Sequence, residues 1–145
     1  ETDIFVEGEP SVRSTLFQIH DGRNKGAPPS WIGLGIDWKI KHKFPKGECS
    51  SENCKMIKYL YLEPEKKYRF KADINYEKNA KNLSVRYFLN DVFILQHLNV
   101  PLSKKKTDGP YGPSKPYMKI GIYRIGETGT TIYSYNNLII KNKKK

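Results

Sequence analysis

Two short stretches of this chain carry acid–base residue types two positions apart: Gln18-Ile19-His20 and, about a hundred residues later, Tyr117-Met118-Lys119-Ile120-Gly121-Ile122-Tyr123. On a β-strand successive side chains point to opposite faces, so Gln18 and His20 share one face while Phe17 and Ile19 take the other. By the same rule Tyr117, Lys119 and Tyr123 point one way and Met118, Ile120 and Ile122 the other. Histidine accepts a proton near neutral pH, and a tyrosine in a partly buried, cationic setting donates or relays one. A glutamine and a lysine beside such a pair can hold a carboxylate. Read singly, each stretch is an amphipathic strand whose polar residues cover a solvated surface. Read together, they define a candidate acid–base set of His20 and Tyr123, with Gln18, Lys119 and Tyr117 around it.

The rest of the chain supplies strands to position that set. Residues 11–20 alternate, with Arg13, Thr15, Phe17 and Ile19 on one face. The other face is also partly apolar, as in a sheet covered on both sides. Gly22, Gly26 and Pro28-Pro29 break the pattern over residues 21–30, a loop. Residues 31–42 alternate again and predict one strand, with Ile32, Leu34, Ile36, Trp38 and Ile40 inward; Gly33 and Gly35 mark a bend or a close approach to the backbone. Residues 55–62 and 67–76 predict strands joined at Glu63-Pro64-Glu65, the second with an apolar face of Tyr68, Phe70, Ala72, Ile74 and Tyr76. Residues 83–89 and 92–97 flank Asn90-Asp91 as a hairpin. Residues 99–116, with four of the nine prolines and Lys104-Lys105-Lys106, read as a long loop beside the candidate set. Residues 132–140 predict a last strand. The acidic residues 1–10 read as a lead-in loop or a cut edge, and residues 141–145 as a basic tail. With no helical periodicity and about eight strands, the expectation is one all-β domain over residues 1–145, an antiparallel sandwich or jelly roll.

The length of 145 residues is enough to bury a core, and ten Tyr, six Phe and two Trp suit pleated, half-buried surfaces. No apolar run is long enough for a membrane-spanning helix, and Glu1-Thr2-Asp3-Ile4 has the look of no signal peptide. The net charge of +11 favours polyanionic partners. Lys104 to Lys106 and Lys143 to Lys145 are solvated runs, and subtracting these six from +11 leaves +5. The two cysteines, Cys49 and Cys54, lack the further ligands a zinc site needs. They read as a local disulfide closing a polar loop, with two free thiols as the alternative. A disulfide implies an oxidising compartment, and Asn82-Leu83-Ser84 is a formal N-glycosylation acceptor. His42 and His97 have no partners in the sequence pattern and are read as structural.

Q-I-H followed by Y-x-K-x-G-x-Y, with a final strand after them, resembles the jelly-roll polysaccharide lyases: the family 7 alginate lyases and the related glucuronan and heparin I lyases. The resemblance runs from about residue 12 to residue 140; between the motifs it is one of spacing and strand pattern. It implies a jelly roll with a concave substrate-binding sheet, and β-elimination on an acidic polysaccharide without metal or cofactor. In that reaction a base removes the proton on C5 of a uronate and an acid protonates the departing oxygen on C4. The resemblance makes His20 the base and Tyr123 the acid, with Tyr123 serving as both for one epimer. Gln18 and Lys119 then neutralise the uronate carboxylate, and Tyr117 lies along the sugar chain. Arg124 replaces the Asn of family 7, as in the glucuronan and heparin lyase variants. The family's R-[S/T]-E-x-R motif has no counterpart before Gln18, so the expectation is a jelly roll lacking its first strands or a shortened relative, with Arg13 and Arg86 as candidate substitutes. The implied protein is a secreted monomer. The competing reading is a non-catalytic carbohydrate-binding jelly roll for anionic glycans. Nucleic acid is a poorer partner, because the basic residues gather in loops and the tail instead of interleaving with aromatics on one face.

Overall fold

Alternation of apolar and polar residues lays the chain out as strands, and no helix occurs among the described residues. The computed structural model describes residues 1–8, 14–21, 27–35, 37–45, 47, 49–77, 81–102, 117–120 and 131–141. In order the strands are β1 (Thr2–Gly8), β2 (Ser14–His20), β3 (Ser30–Leu34), β4 (Ile40–Lys43), β5 (Cys54–Met56), β6 (Lys67–Glu77), β7 (Asn82–Leu89), β8 (Val92–Pro101), β9 (Tyr117–Ile120) and β10 (Thr131–Asn136). They form two antiparallel sheets, a six-stranded one in the order β10-β1-β6-β7-β8-β5 and a four-stranded one in the order β4-β3-β2-β9.

The sheets face each other across one apolar core. Phe17 of the four-stranded sheet meets Phe70 and Tyr87 of the six-stranded sheet, each at a ring-centroid distance of 5.9 Å. Around them lie Ile4, Val6, Ile19, Ile32, Leu34, Ile40, Leu83, Val85 and Leu95, all buried. Each such side chain contributes about 1.5–3 kcal/mol by leaving water. The hairpin at Asn90-Asp91 turns on two left-handed residues, with φ of 47° and 63°. A short polar pair tolerates this conformation, and it matches the twist of β7 and β8.

Four expectations need correction. Residues 2–8 are not a lead-in loop: β1 sits inside the six-stranded sheet between β10 and β6, with Thr2, Ile4 and Val6 buried. Residues 31–42 are not one strand but the hairpin β3–β4, in which Leu34 pairs with Ile40. Its turn is held by Gly35 N–H donating to Lys39 O and Trp38 N–H donating to Gly35 O, with Trp38 at φ 58°. The apparent single alternation persists because Leu34 and Ile40 both point inward across the turn. The strand at residues 55–62 shrinks to β5, after which residue 61 makes only a bridge to Lys39. The last strand stops at Asn136, leaving Leu138, Ile139 and Ile140 exposed.

Candidate functional site

Strands β2 and β9 are hydrogen-bonded neighbours, and their register sets Gln18 opposite Lys119 and His20 opposite Tyr117. Directly opposed residues project from the same side of a sheet, so these four side chains share one face. Phe17 and Ile19 go to the other side and into the core. The rings of His20 and Tyr117 stack with centroids 5.3 Å apart and planes at 28°. The Lys119 ammonium lies 5.4 Å from the Tyr117 ring centroid, in cation–π range. Gln18, His20 and Tyr117 are half-buried and Lys119 is exposed. The quartet is therefore a cationic, aromatic patch at the β9 edge that a ligand in water can reach. Tyr123 and Arg13 lie outside the described residues. Arg86 is exposed on β7, outward of the six-stranded sheet while its neighbour Tyr87 points to the core, so it lies away from this face.

A register shift between Thr15 and Phe17 in the β2–β3 pairing sets the phase of this face. Such a bulge inserts one extra residue, here Leu16, and moves Thr15 to the side of Gln18, not to the side of Phe17 as strict alternation predicts. The Trp31 indole N–H accordingly donates to the Thr15 hydroxyl at 2.8 Å. On the six-stranded sheet the Tyr135 hydroxyl donates to the Leu16 carbonyl at 3.0 Å, tying the two sheets at the bulge. Trp31 lies opposite Gln18 and Lys43, so one row of the face reads Lys119, Gln18, Trp31, Lys43 across the four strands. What approaches the two glycines is the chain itself. A Cβ on Gly33 would fall 2.0 Å from the Ser14 carbonyl oxygen and 2.4 Å from the Trp31 ring, and one on Gly35 would meet the end of the Lys41 side chain at 2.3 Å.

Met118 and Ile120 do not join the core as expected. They are 44% and 38% exposed, and β9 is the last strand of its sheet among the described residues. Cys49 and Cys54 are disulfide-bonded with Cα atoms 5.8 Å apart. Among the described residues no cluster of three His, Cys, Asp or Glu is arranged to hold a metal.

A second polar constellation, which sequence reasoning missed, runs through the core. The Tyr87 hydroxyl is 2.5 Å from Ser30 Oγ, which is 2.7 Å from His97 Nδ1; His97 Nε2 is 3.0 Å from His42 Nδ1. Ser30 and His42 belong to the four-stranded sheet and Tyr87 and His97 to the six-stranded one, so the chain of bonds crosses the core. Tyr87, Ser30 and His97 are fully buried. Donation from Tyr87 outward, through Ser30 and His97 to His42 Nδ1, satisfies every hydroxyl and ring nitrogen inside with both histidines neutral. Burial, with the neighbouring His42, pushes the His97 pKa down to about 3, and burial lowers that of His42 as well. Burial raises the Tyr87 phenol against the smaller opposing effect of its bond to Ser30. The signal available in the sequence was phase: His42 follows inward-pointing Ile40 at a spacing of two, which sends an imidazole toward the core.

Comparison with protein-family models, with curated proteins and with solved structures returns no match for this chain.

Proposed function

We propose that this protein is a polysaccharide lyase of the jelly-roll type that cleaves an acidic, uronate-containing polysaccharide by β-elimination. The observation that carries the reading is the β2–β9 register, which brings Gln18, His20, Tyr117 and Lys119 onto one face from positions about a hundred residues apart. Gln18 and Lys119 hold the uronate carboxylate and draw off the charge that develops on it as the C5 proton leaves. His20 takes that proton. Tyr123 gives a proton to O4, the C4–O4 bond breaks, and a C4–C5 double bond forms in the product. Tyr117, stacked on His20 and carrying Lys119 over its ring, fixes both side chains and lies along the sugar.

Incubation with alginate, glucuronan and heparin, following the ultraviolet absorbance of the unsaturated uronate, tests the reading directly. A rising absorbance with one of the three is the expected result. Binding without product at any pH supports the second reading, a carbohydrate-binding module, which the same cationic and aromatic face would also serve.

A further inference from the structure

Beyond β4 the four-stranded sheet continues for one short step. Ile40 N–H donates to Leu60 O at 2.9 Å and Leu62 N–H donates to Trp38 O at 3.0 Å, so residues 60–62 run antiparallel along the outer edge of the sheet, with Lys39 opposite Tyr61. Ile40 and Leu62 are buried, and Leu60 packs against the core. Alternation then sends Lys39, Tyr59 and Tyr61 outward, on the same face as Lys41, Lys43 and Gln18. Tyr59 and Tyr61 are 69% and 57% exposed, the two most open aromatic rings among the described residues. The Lys39 ammonium lies between them, 5.1 Å from the Tyr59 ring centroid and 5.5 Å from that of Tyr61. No carboxylate among the described residues forms an ion pair with Lys39.

Two exposed rings held around an ammonium that no described carboxylate pairs make a poor way to finish a surface unless something covers it. The rings offer faces to the apolar C–H side of a sugar, and the lysine offers its charge to a carboxylate or sulfate. We propose that Lys39, Tyr59 and Tyr61 form a second contact point for an acidic polysaccharide, distant from the Gln18, His20, Tyr117 and Lys119 patch on the same face. This rests on the reading of that patch as a polyuronate site. Four strand spacings of about 4.8 Å separate β9 from residues 60–62, so the two patches are on the order of 20 Å apart. Lys43 and Lys41 stand between them on β4. Trp31, between them on β3, is itself covered, so the two patches are separate contact points. A long chain can engage both at once, whereas a short fragment engages one, so the second contact raises affinity for polymer selectively.

The experiment compares wild type, the triple variant Lys39→Ala/Tyr59→Ala/Tyr61→Ala and the double variant Gln18→Ala/Lys119→Ala for binding to alginate, glucuronan and heparin, each as polymer and as short oligosaccharides. The triple variant should lose about tenfold in affinity for the polymer that wild type prefers, with short-fragment turnover unchanged. Because Tyr59 and Tyr61 are exposed and Lys39 is only half-buried, it should unfold near the wild-type urea midpoint. Tyr59→Phe/Tyr61→Phe should keep most of the polymer affinity, since the rings remain. Equal polymer affinity in wild type and triple variant overturns the second contact point, and if unsaturated product still forms, the lyase reading stands without it. Loss of polymer affinity in the triple variant with no product from any protein sinks the lyase reading and leaves the contact point in a binding module. Should wild type bind none of the three polymers, both fall. A wild-type dimer that the triple variant converts to monomer, with glycan affinity unchanged, would make the patch a protein interface and overturn the proposal.

Discussion

The protein holds two groups of histidine, and they differ in which side of a sheet they occupy. His20 projects from the outer face of the four-stranded sheet, half-buried, stacked on Tyr117 and near an exposed lysine. His97 projects between the sheets, bonded to Ser30 and His42, with no exposed surface. Burial holds His97 neutral down to about pH 3. A group that cannot take up a proton at neutral pH, and that no substrate can reach, is no base for a substrate; it is a bolt between layers. The same residue type thus serves cohesion in one place and, on the proposed function, proton transfer in the other; what separates the two is exposure to water.

The sharpest way to break this contrast is to substitute on each side and read two quantities. If the proposed elimination holds, His20→Ala on the outer face, and likewise Tyr123→Phe, should each cut the rate of unsaturated product formation by ~10² to 10⁴, the usual loss of a positioned acid or base, while polymer affinity stays nearly constant. Urea midpoints should stay near that of wild type for His20→Ala, because His20 is only half-buried. A variant that loses affinity and rate together would instead mark a residue that holds the sugar.

In the core the expectation inverts. His97→Ala removes a fully buried ring and strands Ser30 and His42 without their partner, so it should cost about 2–4 kcal/mol of stability while the folded fraction keeps its activity. The pH dependence follows from the same group. In the unfolded chain His97 titrates near 6.5, in the folded protein near 3, so between those values the unfolded state binds the extra proton. Stability from this group is therefore complete above pH 6.5 and falls on acidification, by up to about 1.4 kcal/mol per pH unit, until the folded pKa is reached. His42, also shifted down, steepens the same limb. Asp3 acts separately: hydrogen bonds from Lys67 and Asn137 lower its pKa below 3.8, so its contribution goes at more acidic pH. Urea midpoints measured across this range should decline steeply in wild type and more gently in His97→Leu, which cannot titrate at that position. An equally steep decline in both would place the acid sensitivity elsewhere.

What was legible in the sequence was phase, and what was not was interruption of phase. Gln18 and His20 share a face with Lys119 and Tyr117 as simple alternation requires, and Asn90-Asp91 marks its hairpin by residue type alone. The register joining β2 to β9 is a long-range fact that no local pattern encodes. The bulge at Leu16 was invisible because Ser14, Thr15 and Leu16 suit either face, and all three are buried. The β3–β4 turn was hidden by a tryptophan in a left-handed conformation, a role the sequence gives no reason to assign to Trp38. Strand β1 was overlooked because its acidic residues obscured the alternation of Thr2, Ile4 and Val6. Ile74 and Tyr76 continue an apolar phase along β6 yet are exposed, since alternation reports which side a residue faces and says nothing of whether a second layer covers it.

The smallest expected effect sharpens that last point at the candidate site itself. On the core side of the β2–β9 pair, Ile19 faces Met118 and Phe17 faces Ile120, so a reading by phase alone treats all four as equivalent core residues. Their burial separates them: Ile19 and Phe17 are nearly inaccessible, whereas Met118 and Ile120 keep 44% and 38% of their surface in water. Phe17→Ala removes a ring that touches both Phe70 and Tyr87 and should cost about 3–5 kcal/mol. Met118→Thr and Ile120→Thr exchange side chains that gain much less from folding, and β-branched threonine suits an edge strand, so each should cost about 0.5 kcal/mol or less. Turnover and polymer affinity should hold in both variants, because the residues proposed to face the ligand lie on the other side of the strand. A loss of several kcal/mol at Met118 or Ile120 would mean that the core-side surface of β9 is covered more deeply than its exposure indicates, and β9 would then be a member of the packed core, not the edge on which the candidate site is hung.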